Sequence, residues 1–184
     1  MSGVLRPWLL KLANAGLYQP LWSERIGREW RRNAERIWSI EANVLDDEWQ
    51  AMQHGFTDAN VSLWPSASEV NMPTLKYSDA KDWHVIEAAW QAKQTYPDRH
   101  CGIVTFNIKD FSRSELRRLG LDLWEPDRLL SDWHRSHATL IQTTLDGVIS
   151  ELVASGRRHA APIEVFLKRE RLFRLNKKLT AQRP

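Results

Sequence analysis

The chain has 184 residues, of which 42% are hydrophobic and 27% are charged, and its formal net charge is +3. This composition fits one globular domain with a small appendage and excludes a chain that is disordered throughout. The sequence shows no apolar run of membrane-spanning length, and its one cysteine excludes an internal disulfide. We therefore predict a cytoplasmic protein without a membrane segment.

The first half of the chain predicts helices that are separated by loops. Ser23 has the features of an N-cap, and the helix that follows it carries an apolar stripe formed by Ile26, Trp30, Ala34 and Ile37. The elements predicted in this half are helices at 7–15, 24–38, 45–56 and 79–93, an extended segment at 18–22 and a connector at 57–77.

The second half predicts two short strands and then a helical third. Strands are predicted at 103–106 and 121–124, with a short helix between them, and Pro126 opens the helical part. Helices that alternate with short apolar strands favour an α/β fold with a parallel sheet, although a mainly helical protein is the alternative on pattern alone.

The C-terminal third carries two further expectations. The run 163–179 is predicted to be amphipathic, with Phe166, Phe173 and Leu175 among its buried side chains. His134 and His137 are three residues apart on a predicted helix, and we interpret them as exposed histidines rather than metal ligands.

Three acidic residues stand at positions that suit a metal site. Asp110 follows the first predicted strand, Asp82 lies in the first turn of a helix, and Glu29 lies at the edge of the buried stripe. Carboxylates that converge at strand ends and helix N-termini can bind Mg²⁺ or Mn²⁺, which activate water in phosphodiester cleavage.

Each of these acids also has a purely structural interpretation. Asp82 can form a capping box with Asp79, because it lies three positions after Asp79 in the sequence. Glu29 can pair with arginines of its own helix, and Asp110 can pair with Lys109 or Arg113. The sequence pattern leaves both interpretations open.

Three segments together resemble the PIN-domain proteins related to VapC-type toxins. The segment GLYQPLWSERIGREWRRNA at 16–34 resembles the motif that holds an active-site glutamate. The segment DWHVIEAA at 82–89 resembles the next motif, and VTFNIKDF at 104–111 resembles the motif that carries the last aspartate. The three segments occur in the family's order.

The resemblance implies an α/β, PIN-like three-layer domain with a small central parallel sheet over residues 1–128, and a helical C-terminal extension over 129–184. It implies a metal-dependent endoribonuclease, a candidate toxin of a toxin–antitoxin system, whose catalytic and metal-binding acids are Glu29, Asp82 and Asp110. Thr105 and Asn107 match polar residues that orient a carboxylate or a metal-bound water. The cofactor is then Mg²⁺ or Mn²⁺, and the candidate contacts to RNA are Arg28, Arg31, Arg32 and Lys109.

One feature of the family pattern is missing. PIN domains begin with a strand that ends in an aspartate, whereas residues 1–23 contain no Asp or Glu. The alternative function is therefore a catalytically inactive PIN-derived module that binds RNA or a protein, and a helical structural protein is a third interpretation. Candidate partners besides RNA are an antitoxin protein and a second copy of the chain.

Overall fold

The structure, a computed structural model, describes residues 3–65 and 71–181. Within these ranges the chain is mostly helical, and two strands pair as a parallel sheet, which confirms the α/β class and the C-terminal helices. The three-layer PIN-like arrangement stays a prediction. The elements in chain order are α1 Leu5–Asn14, α2 Glu24–Trp38, α3 Ala42–Gly55, α4 Trp83–Thr95, β1 Cys101–Val104, α5 Arg113–Arg118, β2 Leu121–Trp124, α6 Pro126–Ser136, α7 Ala138–Ala154, α8 Ile163–Arg169 and α9 Phe173–Ala181.

The chain divides into two compact units. One unit consists of Met1–Gln19 and Trp124–Pro184, and the other consists of Pro20–Leu123. The boundary predicted at residue 128 concerns the extent of a family resemblance, so it stays a prediction. No helix in the described part of the chain is both long enough and apolar enough to cross a bilayer.

The core of Pro20–Leu123 forms around the two strands. Ile103 of β1 and Leu121 of β2 are buried, because a strand between helices gains free energy when its apolar side chains leave water. The short helix α5 connects the two strands, as a parallel pair requires. The other buried members of this cluster are Leu75, Ile86, Phe111, Leu116 and Leu119.

Strand β1 begins and ends two residues earlier than the sequence predicted. It ends at Val104 because the hydroxyl of Thr105 accepts a hydrogen bond from the N–H of Asn107, at 3.0 Å, which turns the chain out of the sheet. A single 3₁₀ turn, Ile108–Asp110, follows. The strand therefore leads into the turn that carries Asp110.

Helix α2 begins and packs largely as predicted. The hydroxyl of Ser23 accepts the N–H of Ile26, which confirms the N-cap. Gly27 lies against Trp49 of α3 so closely that a Cβ atom there would stand 2.4 Å from the indole ring. The predicted apolar stripe was wrong at its end, because Ile37 is 59% exposed.

The other unit is built from α1 and the C-terminal helices. Trp8, Leu130 and Ile141 are fully buried there, and the carboxylate of Asp127 accepts the N–H groups of residues 174 and 175 at the start of α9. An anion at a helix N-terminus satisfies donors that have no partner inside the helix.

Two burial expectations for this unit were wrong, those for Phe173 and His134. Phe173 is 60% exposed, whereas Phe166 and Leu175 are buried as predicted. The run 163–179 is not one helix, because Arg171 adopts a positive φ of 59° between α8 and α9 and changes the direction of the chain. His134 is buried rather than exposed.

Candidate metal site at the end of strand β1

Three aspartates converge where the turn after β1 meets the segment before α4. Asp79, Asp82 and Asp110 each offer a carboxylate oxygen, and these oxygens all lie within 4.8 Å of one another. The N–H of Asp79 donates to the carbonyl oxygen of Asp110 at 2.8 Å, so the backbone itself joins the two segments. The structure thus brings together two of the predicted acids, Asp82 and Asp110, and adds Asp79.

The segment that carries Asp79 is fixed by a buried carboxylate. Glu115 of α5 accepts the N–H groups of Lys76 and Tyr77 through Oε1, and it accepts the N–H and the hydroxyl of Ser78 through Oε2. Burial alone would raise the pKa of Glu115, but these donors outweigh it and lower the pKa to about 2. Four hydrogen bonds to one carboxylate therefore hold the three residues that precede Asp79.

Lys81 lies between two of the aspartates. Its Nζ is 3.0 Å from Asp79 Oδ2 and 2.8 Å from Asp110 Oδ2, and it is 4.0 Å from Asp82 Oδ2. Hydrogen bonds to Asp110 and Asp79 raise the pKa of Lys81, so it stays an ammonium. In return, the main-chain N–H and the ammonium of Lys81 lower the pKa of Asp79, and the ammonium also lowers that of Asp110. The chain thus provides its own cation at the site.

Asp82 differs from its two neighbours. Its side chain is 16% exposed, and its Oδ2 atom is buried without a hydrogen-bond donor among the described residues. Burial is the largest cause that raises the pKa of Asp82, and the charges of Asp110, Asp79 and Glu29 raise it further, while Lys81 acts in the opposite direction. Burial therefore contributes more to the raised pKa of Asp82 than repulsion from the neighbouring carboxylates does.

Glu29 lies beside this cluster and contacts a buried histidine. Its Oε2 is 2.9 Å from Nε2 of His84, whose side chain is 3% exposed. Because His84 is two residues after Asp82 on the same segment, the contact holds Glu29 near the aspartates. The structural alternative was that Glu29 pairs with arginines of its own helix. Among the described residues, Glu29 instead pairs with His84.

The remaining predicted residues divide into two groups. The side-chain amide of Asn107 donates to Asp110, and Thr105 holds Asn107 through the hydrogen bond that ends β1. Arg31 is engaged with α3, since its Nη1 is 3.4 Å from Asp46 Oδ1 and its guanidinium lies over Trp49. The other predicted RNA contacts, Arg28, Arg32 and Lys109, are exposed.

The donor set at this site suits a hard divalent cation. Mg²⁺ binds carboxylate oxygens at about 2.1 Å, so two of its ligands stand about 3 to 4 Å apart. Separations within 4.8 Å reach that range after small side-chain rotations. The oxygen of Asp82 that lacks a donor is the one whose burial a cation would compensate best.

Sequence reasoning missed three residues of this arrangement. Asp79 was interpreted only as a helix cap, a role that it also fills by accepting the N–H of Lys81. The contacts of Lys81 with Asp110 and of His84 with Glu29 join residues that are far apart in the sequence, so no local pattern indicates them. The signal that could have found Asp79 is its spacing from Asp82.

Comparisons with protein-family models, with curated proteins and with solved structures give no match for this chain.

Proposed function

We propose that the chain is a metal-dependent endoribonuclease of the PIN/VapC type, and a candidate toxin of a toxin–antitoxin system, that hydrolyses RNA at the acidic site. The observation that carries the proposal is the convergence of Asp79, Asp82 and Asp110, two of which the motif resemblance had indicated. Mg²⁺ or Mn²⁺, when bound by these three carboxylates, supplies an activated water and neutralises charge on the phosphate.

The chain's own residues have separate tasks in this proposal. Asp82 and Asp110, which are both largely buried, hold the cation, and Asn107 fixes the carboxylate of Asp110. Glu29, held by His84, lies at the edge of the site where a carboxylate can accept a proton from water. Lys81, an ammonium on a flexible stem between Asp79 and Asp110, would contact the phosphate when a metal ion takes its place between the aspartates.

The test is cleavage of a labelled single-stranded RNA in Mn²⁺ by the full chain and three variants. We expect Asp82→Asn and Asp110→Asn to lose roughly 10²-fold or more in rate, because misplaced ligands misplace the reacting water. Asp98→Asn, which makes the same change at an exposed position, should keep the wild-type rate. Cleavage that survives in EDTA, or that is equal in all four proteins, would refute the proposal.

A second candidate function is a catalytically inactive PIN-derived module that binds RNA or protein. The observation that favours it is Lys81, whose ammonium already occupies the space between Asp79 and Asp110. In this case the wild-type chain binds no Mn²⁺, and Lys81→Met binds it because three carboxylates then lack a cation. The matched control is Lys177→Met, which removes an exposed ammonium elsewhere. Tight Mn²⁺ binding by the wild type would exclude this candidate.

A further inference from the structure

Helix α2 carries a line of arginines along one face. Arg25, Arg28, Arg32 and Arg36 are all exposed, and the spacings between them are three, four and four residues. At 3.6 residues per turn, these four positions fall within about 80° of the helix circumference and extend over about 16 Å. We call these four residues the arginine stripe.

The charges of the arginine stripe are not neutralised by the protein. Among residues 3–65 and 71–181, none of the four guanidinium groups has a carboxylate within ion-pairing distance, and only Arg36 makes a side-chain hydrogen bond, at 3.5 Å to Asn33 Oδ1. Arg31, about 100° around the helix from the centre of the stripe, shows the contrast, because Asp46 and Trp49 engage it. Four adjacent unpaired cations create a local field that attracts polyanions.

The arginine stripe borders the acidic site. Glu29 lies three to four residues from Arg25 and Arg32, so it stands beside the stripe on the helix surface. The carboxylate of Glu29 points to His84, two residues after Asp82, rather than to these arginines. A strand that lies along the stripe therefore passes beside Glu29, whose carboxylate contacts the segment that carries Asp82.

We propose that the arginine stripe is the docking surface for the phosphodiester backbone of single-stranded nucleic acid. All four residues are arginine, whose planar guanidinium matches the geometry of a phosphate with two parallel hydrogen bonds. A nucleic acid strand presents one negatively charged phosphate per nucleotide along the length of the stripe. A peptide presents one negative charge per residue only when every residue is acidic. The choice of nucleic acid over an acidic peptide rests on the proposed ribonuclease function.

The test measures binding in EDTA, where cleavage cannot interfere. A fluorescent 12-nucleotide oligouridylate and the corresponding DNA strand are titrated, by anisotropy, with the wild type and two triple variants. One variant is Arg28→Gln with Arg32→Gln and Arg36→Gln in the stripe. The matched control removes three exposed arginines of α5, by Arg113→Gln, Arg117→Gln and Arg118→Gln. Circular dichroism establishes that both variants are folded.

We expect the stripe variant alone to bind both strands at least 10-fold more weakly, and its log–log salt slope to be smaller by about 2, at about 0.7 per lost phosphate contact. Equal weakening of both triple variants, or no weakening of the stripe variant, would overturn the proposal. Equally tight binding of oligoaspartate would overturn it in favour of an acidic protein partner. If the stripe variant behaves as expected and the wild type does not cleave RNA in Mn²⁺, the docking surface stands and the proposed catalytic function fails.

Discussion

Glu115 is the side chain on which the geometry of the acidic site depends. It is buried, it is the acceptor for four hydrogen bonds, and it fixes the three residues that precede Asp79. A buried carboxylate costs free energy unless donors compensate it, and here backbone N–H groups do so. No local sequence pattern indicates this role, because the partners of Glu115 lie almost 40 residues earlier in the chain.

We expect Glu115→Gln to lower the free energy of unfolding by about 2 kcal/mol at pH 7, because an amide has one acceptor oxygen where the carboxylate has two. Since folding lowers the pKa of Glu115 from 4.5 to about 2, its stabilisation is fully present above pH 4.5. The stabilisation is lost as the pH falls from 4.5 towards 2. Urea unfolding at several pH values measures the difference.

The matched control for this change is Glu87→Gln, which alters the same group at an exposed position of α4. It should change the unfolding free energy by no more than about 0.5 kcal/mol. A Glu115→Gln protein that is as stable as the control, or whose deficit does not shrink in acid, would show that the buried carboxylate does not hold the loop.

The boundaries of helices and strands in this chain could be predicted where they depend on residues that are close together in the sequence. The cap at Ser23, the strand at Leu121–Trp124 and the helix that starts at Pro126 were all predictable, since each depends on residues within one turn. The break between α8 and α9 was not predictable, because Arg171 is not a residue that favours a positive φ. Phe173, the first residue of α9 after that break, is exposed.

Substitution by alanine should change the free energy of unfolding in opposite directions at two glycines that lie inside helices. Gly27 of α2 has no room for a methyl group, because Trp49 would lie 2.4 Å away, whereas a Cβ at Gly147 of α7 meets nothing nearer than Lys11 Nζ at 3.8 Å. We expect Gly27→Ala to lower the unfolding free energy by about 1–3 kcal/mol through overpacking. Gly147→Ala should raise it by about 0.5–1 kcal/mol through helix propensity.

Thermal and urea unfolding of the two variants measure these changes, and each variant serves as the other's control. If Gly27→Ala were also stabilising, α2 and α3 would not pack as closely as the structure shows.

At the scale of the whole molecule, the sequence predicted the class of the fold and two of the clustered acids, but it did not predict that Lys81 lies between the aspartates. The α/β class follows from periodicity, and Asp82 and Asp110 follow from their places at the start of a helix and the end of a strand. The contacts of Lys81 with Asp110 and of His84 with Glu29 form only when distant segments fold together, and a single sequence does not show which segments do so. The unit that joins Met1–Gln19 with the C-terminal helices also depends on contacts between segments that are far apart in the sequence.

The unit formed by Met1–Gln19 and Trp124–Pro184 contains a buried histidine that should make it sensitive to mild acid. His134 of α6 has an Nε2 atom that is buried without a hydrogen-bond partner among the described residues. Lys178 of α9 is near it and donates to the carbonyl oxygen of Ser131 at 2.8 Å. Burial lowers the pKa of His134, and the charge of Lys178 lowers it further.

We expect the wild type to lose stability as the pH falls from 7.5 to 5.5, because the unfolded chain binds a proton at His134, with a pKa of about 6.5, more readily than the folded chain does. His134→Gln should remove most of this loss, whereas His100→Gln, at an exposed position, should not. Glu170 in the same unit has a pKa raised by burial, so its protonation acts in the opposite direction and makes the comparison with His134→Gln essential. Urea unfolding gives the stabilities, and hydrogen exchange corrected for the intrinsic rate should locate the opening to α6 and α9. If the free energy of unfolding of His134→Gln fell with pH as steeply as that of the wild type, a group other than His134 would cause the loss of stability.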